Sequence, residues 1–148
     1  MKLIAHRGNI NGPNKNQENN PEYILNAIKQ GYYVELDLWL VDNKLYLGHD
    51  FPKYEINRNF LTDIKEKLFC HCKNISALHY ILKNNPEIEC FYHTNDDCVL
   101  TSKGNIWNHY KTLEFTSKSI CVMPELCNYN IVDNNIIGVC SDYVKSYK

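Results

Sequence analysis

Six residues set the chemistry this chain could perform. His6 and Arg7 close its first short apolar run, Glu35 and Asp37 alternate with apolar neighbours in a later one, His49 follows the next, and Lys73 ends another. The set is coherent. Clustered carboxylates can hold a hard divalent cation, two imidazoles can exchange protons near neutral pH, and Arg7 and Lys73 can neutralise a phosphate. Each residue alone has a plainer reading: His6-Arg7-Gly8 as a strand end and turn, Glu35 with Asp37 as the solvated face of an edge strand. Taken together, most of them fall at or just beyond the C-terminal ends of successive strands, where active sites form in a βα barrel.

The elements that must position them follow from hydrophobic period and capping. Lys2 to His6 reads as a first strand. Asn20-Pro21 supplies an N-cap and a first-turn proline for a helix carrying Ile24, Ala27 and Ile28 on one stripe, and Gly31 ends it. Val34, Leu36, Leu38 and Leu40 alternate with Glu35, Asp37 and Trp39, a period-two strand with both carboxylates on one face. Asp42-Asn43 turns the chain into a short return strand from Leu45 to Gly48. A helix near Phe60 to Lys67, a strand from Leu68 to Lys73 and a helix capped by Asn74 or Ser76 come next, stopped at Asn84-Asn85-Pro86. Beyond it the reading yields short strands, Glu89 to His93, Cys98 to Thr101, Ser119 to Met123 and Ile136 to Ser141, with little helix. The expectation is an α/β chain, a compact (β/α) TIM-barrel-like fold with a reduced, helix-poor second half, since a full barrel takes roughly 250 residues.

The order of these residues resembles a known family. His6-Arg7-Gly8, then Glu18-Asn19 before a helix, Glu35-Leu36-Asp37 in a strand and His49-Asp50 after a return strand are similar to the glycerophosphodiester phosphodiesterase signature. The likeness covers about the first 75 residues, and Gly138 to Tyr143 is similar to the family's last strand. The resemblance implies a metal-dependent phosphodiester hydrolase, with His6 and His49 as acid and base, Arg7 and Lys73 on the phosphate side, and Glu35, Asp37 and Glu18 at the metal. Where that family reads Glu-x-Lys, this chain has His71-Cys72-Lys73. His71 therefore either joins the metal ligands or fills the interior and hydrogen-bonds a carboxylate. An imidazole suits Mn²⁺ better than Ca²⁺, and Mg²⁺ fits if water completes its shell. A non-catalytic phosphodiester-binding module is the alternative, although binding alone would not need two titrating histidines.

Composition bounds the rest. The 148 residues suit a single domain, 1–148, with one core. Sixteen Lys and Arg against 17 Asp and Glu leave a net charge of -1, so no basic surplus points to nucleic acid. The expected partner is a small phosphodiester. No apolar run reaches the length of a membrane span, and the seven cysteines lack any Cys-x-x-Cys pair. They read as reduced, packed thiols in a cytoplasmic protein, with Cys70 and Cys72 on one strand face and His71 on the other. His93 ends a strand and could line the rim, whereas His79 reads as structural, and Trp107 and Glu125 as core and strand end.

Overall fold

Alternating side chains along the first half build the strands that carry the carboxylates. In the computed structural model, which describes residues 1–112, 114–127 and 135–148, Lys2–His6 (β1) is followed by helix α1 (Pro21–Lys29) and the nine-residue strand β2 (Tyr33–Val41). Strands β3 (Lys44–Leu47) and β4 (Tyr54–Ile56), helix α2 (Arg58–Ile64), strand β5 (Leu68–Cys72) and helix α3 (Ile75–Asn84) come next. Five short strands complete the order: β6 (Glu89–Phe91), β7 (Cys98–Leu100), β8 (Ile106–His109), β9 (Ser119–Val122) and β10 (Gly138–Ser141).

Asparagines start all three helices. Asn20 accepts a hydrogen bond from the Glu22 amide, Asn57 from Phe60 and Asn74 from Ala77, each covering a donor that the first turn leaves unpaired. Asn74 also bonds the amide and carbonyl of Leu40, so the start of α3 is tied to the end of β2. Ser76 therefore lies inside the helix rather than capping it.

Strands β6, β5, β2, β1, β10, β9 and β8 lie side by side and parallel. β3 and β4 extend antiparallel from the later half of β2, and β7 runs antiparallel to β8. The sheet is strongly curled. Phe69 on β5 and Trp107 on β8 are five strand spacings apart in this order, roughly 24 Å in a flat sheet, yet their rings meet at 5.8 Å. Ile4, Phe69, Phe91, Trp107, Ile120, Val122 and Cys140 fill the concave side. Val34, Leu36, Leu38, Cys70 and Cys72 face the other way, where Ile24, Ala27, Leu61, Ala77 and Ile81 of the helices cover them. Each such aliphatic side chain contributes about 1.5–3 kcal/mol on burial.

The expected TIM-barrel-like fold of alternating strands and helices is not what the chain builds. The molecule is a curled, mixed ten-stranded sheet, a half-barrel with three short α-helices among the described residues. Short connections are one reason. β7 turns straight back into β8, and residues 110–118 between β8 and β9 form no helix among those described. Without crossover helices the second half cannot repeat the βα unit. Strands β4 and β8 were also absent from the sequence reading, and the helix expected at Phe60 to Lys67 is α2 followed by a 3-10 turn at Lys65–Lys67. All seven cysteines are free, five of them buried. No helix among the described residues is long and apolar enough to cross a membrane.

Candidate active site

Parallel pairing of β1, β2 and β5 brings the chemistry together. His6 lies opposite Glu35, and Asp37 opposite His71, so four titratable side chains from three strands reach the same end of the concave face. Glu35 and Asp37 are both buried, at 2% and 0% exposure, against the ordinary rule that carboxylates stay in water. A buried carboxylate must be paired.

Arg7 is the hub of that pairing. Its backbone takes the left-handed conformation, φ 52°, and Gly8 follows at φ 89°, where an added Cβ would stand 2.8 Å from the Tyr23 ring. Glycine is required there. The sharp turn directs the Arg7 amide to Glu35 Oε2 at 3.2 Å and its guanidinium across the site. Nη1 donates to Glu18 Oε2 at 3.2 Å, Nη2 to His49 Nδ1 at 2.8 Å, and Nε stands 3.1 Å from Asp37 Oδ2. Asn19, itself at φ 63°, donates to Asp37 Oδ2 at 2.8 Å and accepts from the Asp37 amide at 2.9 Å.

His6 is fixed from its other side. Nδ1 donates to Asp142 Oδ1 at 2.7 Å, which directs Nε2 toward Glu35, 3.9 Å away. Asn9, fully buried, donates to both Asp142 and Glu18. Burial alone would lower the His6 pKa, but the Asp142 hydrogen bond and the Glu35 charge outweigh it and raise it above the usual imidazole value. Burial and the neighbouring Asp37 raise Glu35. Asp37 goes the other way: burial opposes its charge, yet hydrogen bonds from His49 and His71 and the Arg7 charge hold it well below the carboxylate range.

His71 points inward, between Phe91 and His93, and its ring stacks on theirs at 5.0 and 4.5 Å. Its Nε2 faces the His93 carbonyl at 3.4 Å, and its Nδ1 lies 3.1 Å from Asp37 Oδ1 and 3.8 Å from Glu35 Oε1. Donation from Nε2 leaves an Nδ1 lone pair aimed at two carboxylates, an arrangement that needs a proton or a metal ion between them. Glu35, Asp37 and His71 offer ligand atoms all within 4.8 Å of one another. Two carboxylates and one imidazole with a fixed second nitrogen fit a divalent cation. Substituting His71→Glu adds a hard oxygen ligand and a negative charge. Titration calorimetry is therefore expected to rank Mg²⁺ and Ca²⁺ higher against Mn²⁺ than in the parent, and an unchanged ranking would take His71 off the metal.

Two expected residues sit elsewhere. Glu18 is not in the three-residue cluster; Arg7 and Asn9 hold its two oxygens. Lys73 turns its ammonium to Asp37, 3.8 Å away, and does not line the cavity of about 360 Å³ that opens over His6, Glu35, His49 and His71. Trp107, Val99, Val122, Met123 and Leu126 give that cavity an apolar wall. His93 and Asp142, not among the expected site residues, also line it. Asn9 and Asn19 carry no signal beyond following His6-Arg7-Gly8 and Glu18, because an asparagine acquires its meaning only from the carboxylate it meets.

His93 makes the region sensitive to acid. Burial, then the charges of His71 and Lys73, push its pKa down to about 4, against 6.5 for a free imidazole. The unfolded chain therefore binds a proton between these values that the folded chain refuses, and stability is whole above about pH 6.5 and falls as pH drops toward 4. Urea unfolding across this range is expected to show a shallower pH dependence in His93→Phe than in the parent. Identical slopes would remove His93 from the acid response.

Compared with known proteins, the chain matches no family model, no curated protein and no solved structure.

Proposed function

We propose that the protein hydrolyses a phosphodiester, with a divalent cation at Glu35, Asp37 and His71 and with His6 and His49 as the proton-transferring pair. The observation that carries this reading is the convergence of those five side chains and Arg7 around one cavity. The resemblance of His6-Arg7-Gly8, Glu35-Leu36-Asp37 and His49-Asp50 to the glycerophosphodiester phosphodiesterase signature points to a diester with a hydroxyl beside the phosphorus. A bound cation would polarise the phosphoryl oxygens and draw off their negative charge.

The protein's own groups do the rest. One imidazole removes the proton from the attacking hydroxyl as its oxygen bonds to phosphorus. The other delivers a proton to the departing alcohol as that phosphorus–oxygen bond breaks. Asp142 keeps the His6 ring in one tautomer with Nε2 directed into the cavity. Arg7 orders His49, Glu18 and Asp37 around a single guanidinium, so that reacting groups need not reorganise.

The binding-only reading draws on one observation, that every donor-bearing nitrogen of Arg7 already faces a partner in the protein. Turnover separates the two. Purified protein assayed on a panel of glycerophosphodiesters, after chelator treatment and with Mg²⁺, Ca²⁺ or Mn²⁺ restored, is expected to hydrolyse at least one of them in a metal-dependent way. Binding of a diester without hydrolysis under every metal would favour the module.

A further inference from the structure

The cations expected to meet the substrate are engaged inside the protein. Arg7 faces Glu18, Asp37 and His49, and Lys73 faces Asp37 outside the cavity. Glu18, Glu35 and Asp142 also line the cavity, so an anion entering it meets carboxylates as well as histidines. Two other cations stand differently. Lys15, on the link from β1 to α1, and Lys53, just before β4, line a second cleft that shares Arg7, Glu18 and His49 with the cavity. Lys15 lines both hollows and so stands where they join.

Among the described residues neither ammonium pairs with a carboxylate; that of Lys53 lies 5.0 Å from the Tyr54 ring centroid. The acids in the cleft are taken. Glu18 is held by Arg7 and Asn9, and Asp50 faces solvent beside His49 at 3.8 Å. Unpaired cations converging on a concave surface concentrate anions there.

We infer that Lys15 and Lys53 form an anion-binding subsite on the His49 side of the reaction centre, so that the substrate is a phosphodiester carrying a further anionic group, a phosphomonoester or a carboxylate. This rests on the hydrolase reading for its substrate, but the subsite itself can be tested without turnover.

Two measurements decide it. The first compares kcat/KM for glycerophosphodiesters that differ only in ending on a phosphomonoester, a carboxylate or a neutral hydroxyl, in the parent and in a Lys15→Met, Lys53→Met double variant. The parent is expected to prefer an anionic end by about tenfold, the worth of a charge-assisted contact, and the variant to lose that preference; which anion leads identifies the group. Equal rates for all three ends in the parent would overturn the subsite and leave the hydrolase reading standing. The second titrates inorganic phosphate into both proteins by calorimetry. Weakening by about tenfold in the variant supports the subsite even if no diester is hydrolysed, an outcome that would count against the hydrolase reading alone. Absent or equal phosphate binding in the two proteins overturns the subsite whatever the activity. Circular dichroism of the variant confirms that both measurements are made on folded protein.

Discussion

Replacing either His6 or His49 by asparagine is expected to lower kcat for phosphodiester hydrolysis by about a hundredfold or more and to leave the fold in place. Asparagine keeps polarity and approximate size but neither removes nor delivers a proton. For His49 the structural cost is small, because its side chain is 40% exposed and only ring contacts with Arg7 and Asp37 are lost. His6 is more enclosed, with Nδ1 bound to Asp142, so asparagine's amide must take over that hydrogen bond. Asp142→Asn supplies a control for position. It leaves both imidazoles in place while weakening the bond that fixes the His6 tautomer, so kcat falls less than in His6→Asn and its pH profile shifts. Steady-state kinetics on folded variants measure these effects. Full activity in either histidine variant would end their assignment as acid and base.

The largest effect on stability is expected at Asp37. This fully buried carboxylate faces Arg7 Nε at 3.1 Å, His71 Nδ1 at 3.1 Å, His49 Nδ1 at 3.4 Å and Lys73 Nζ at 3.8 Å, and accepts from Asn19 as well. Truncation in Asp37→Ala strands several cationic or donor groups in a site that water reaches poorly. Breaking a buried pair in this way costs about 3–5 kcal/mol. The loss is expected in urea unfolding at neutral pH, where a change below about 1 kcal/mol would mean the cluster is solvated and its pairing weak. Asp37→Asn keeps the volume and separates function from folding. Its affinity for Mn²⁺ is expected to fall at least about tenfold, and an unchanged affinity would remove Asp37 from the cation site.

Local chemistry was legible where it depends on neighbours in sequence. Asn20-Pro21 announced α1, alternation from Val34 to Leu40 announced β2, and the same alternation put Glu35 and Asp37 on one face. Cys70 and Cys72 turn outward and His71 inward, as a strand requires. Strand β8 escaped notice because Ile106-Trp107-Asn108-His109 has no clean alternation, and three-residue β4 is too short for a period to show. The half-barrel was not legible because curl and pairing are decided by long-range packing, such as that of Phe69 and Phe91 on Trp107. The commitments of Arg7 and Lys73 were hidden for a similar reason. A basic residue in a phosphate-like motif reads as substrate-facing until the buried Asp37 that claims it is located.

The two flanks of the cavity are held by different kinds of bond. His6, Glu35, Asp37 and His71 sit on strands joined by continuous backbone ladders, β1 to β2 to β5. Between β6 and β8 no ladder runs among the described residues, and the gap is bridged by the Phe91–Trp107 stack at 4.5 Å and by two hydrogen bonds between Cys90 and Ser102. Rings can slide over one another at little cost, whereas a ladder yields only when several hydrogen bonds break together. The molecule is thus hinged like a hand, a stiff palm that carries the reactive groups and fingers that adjust to the girth of what they close on.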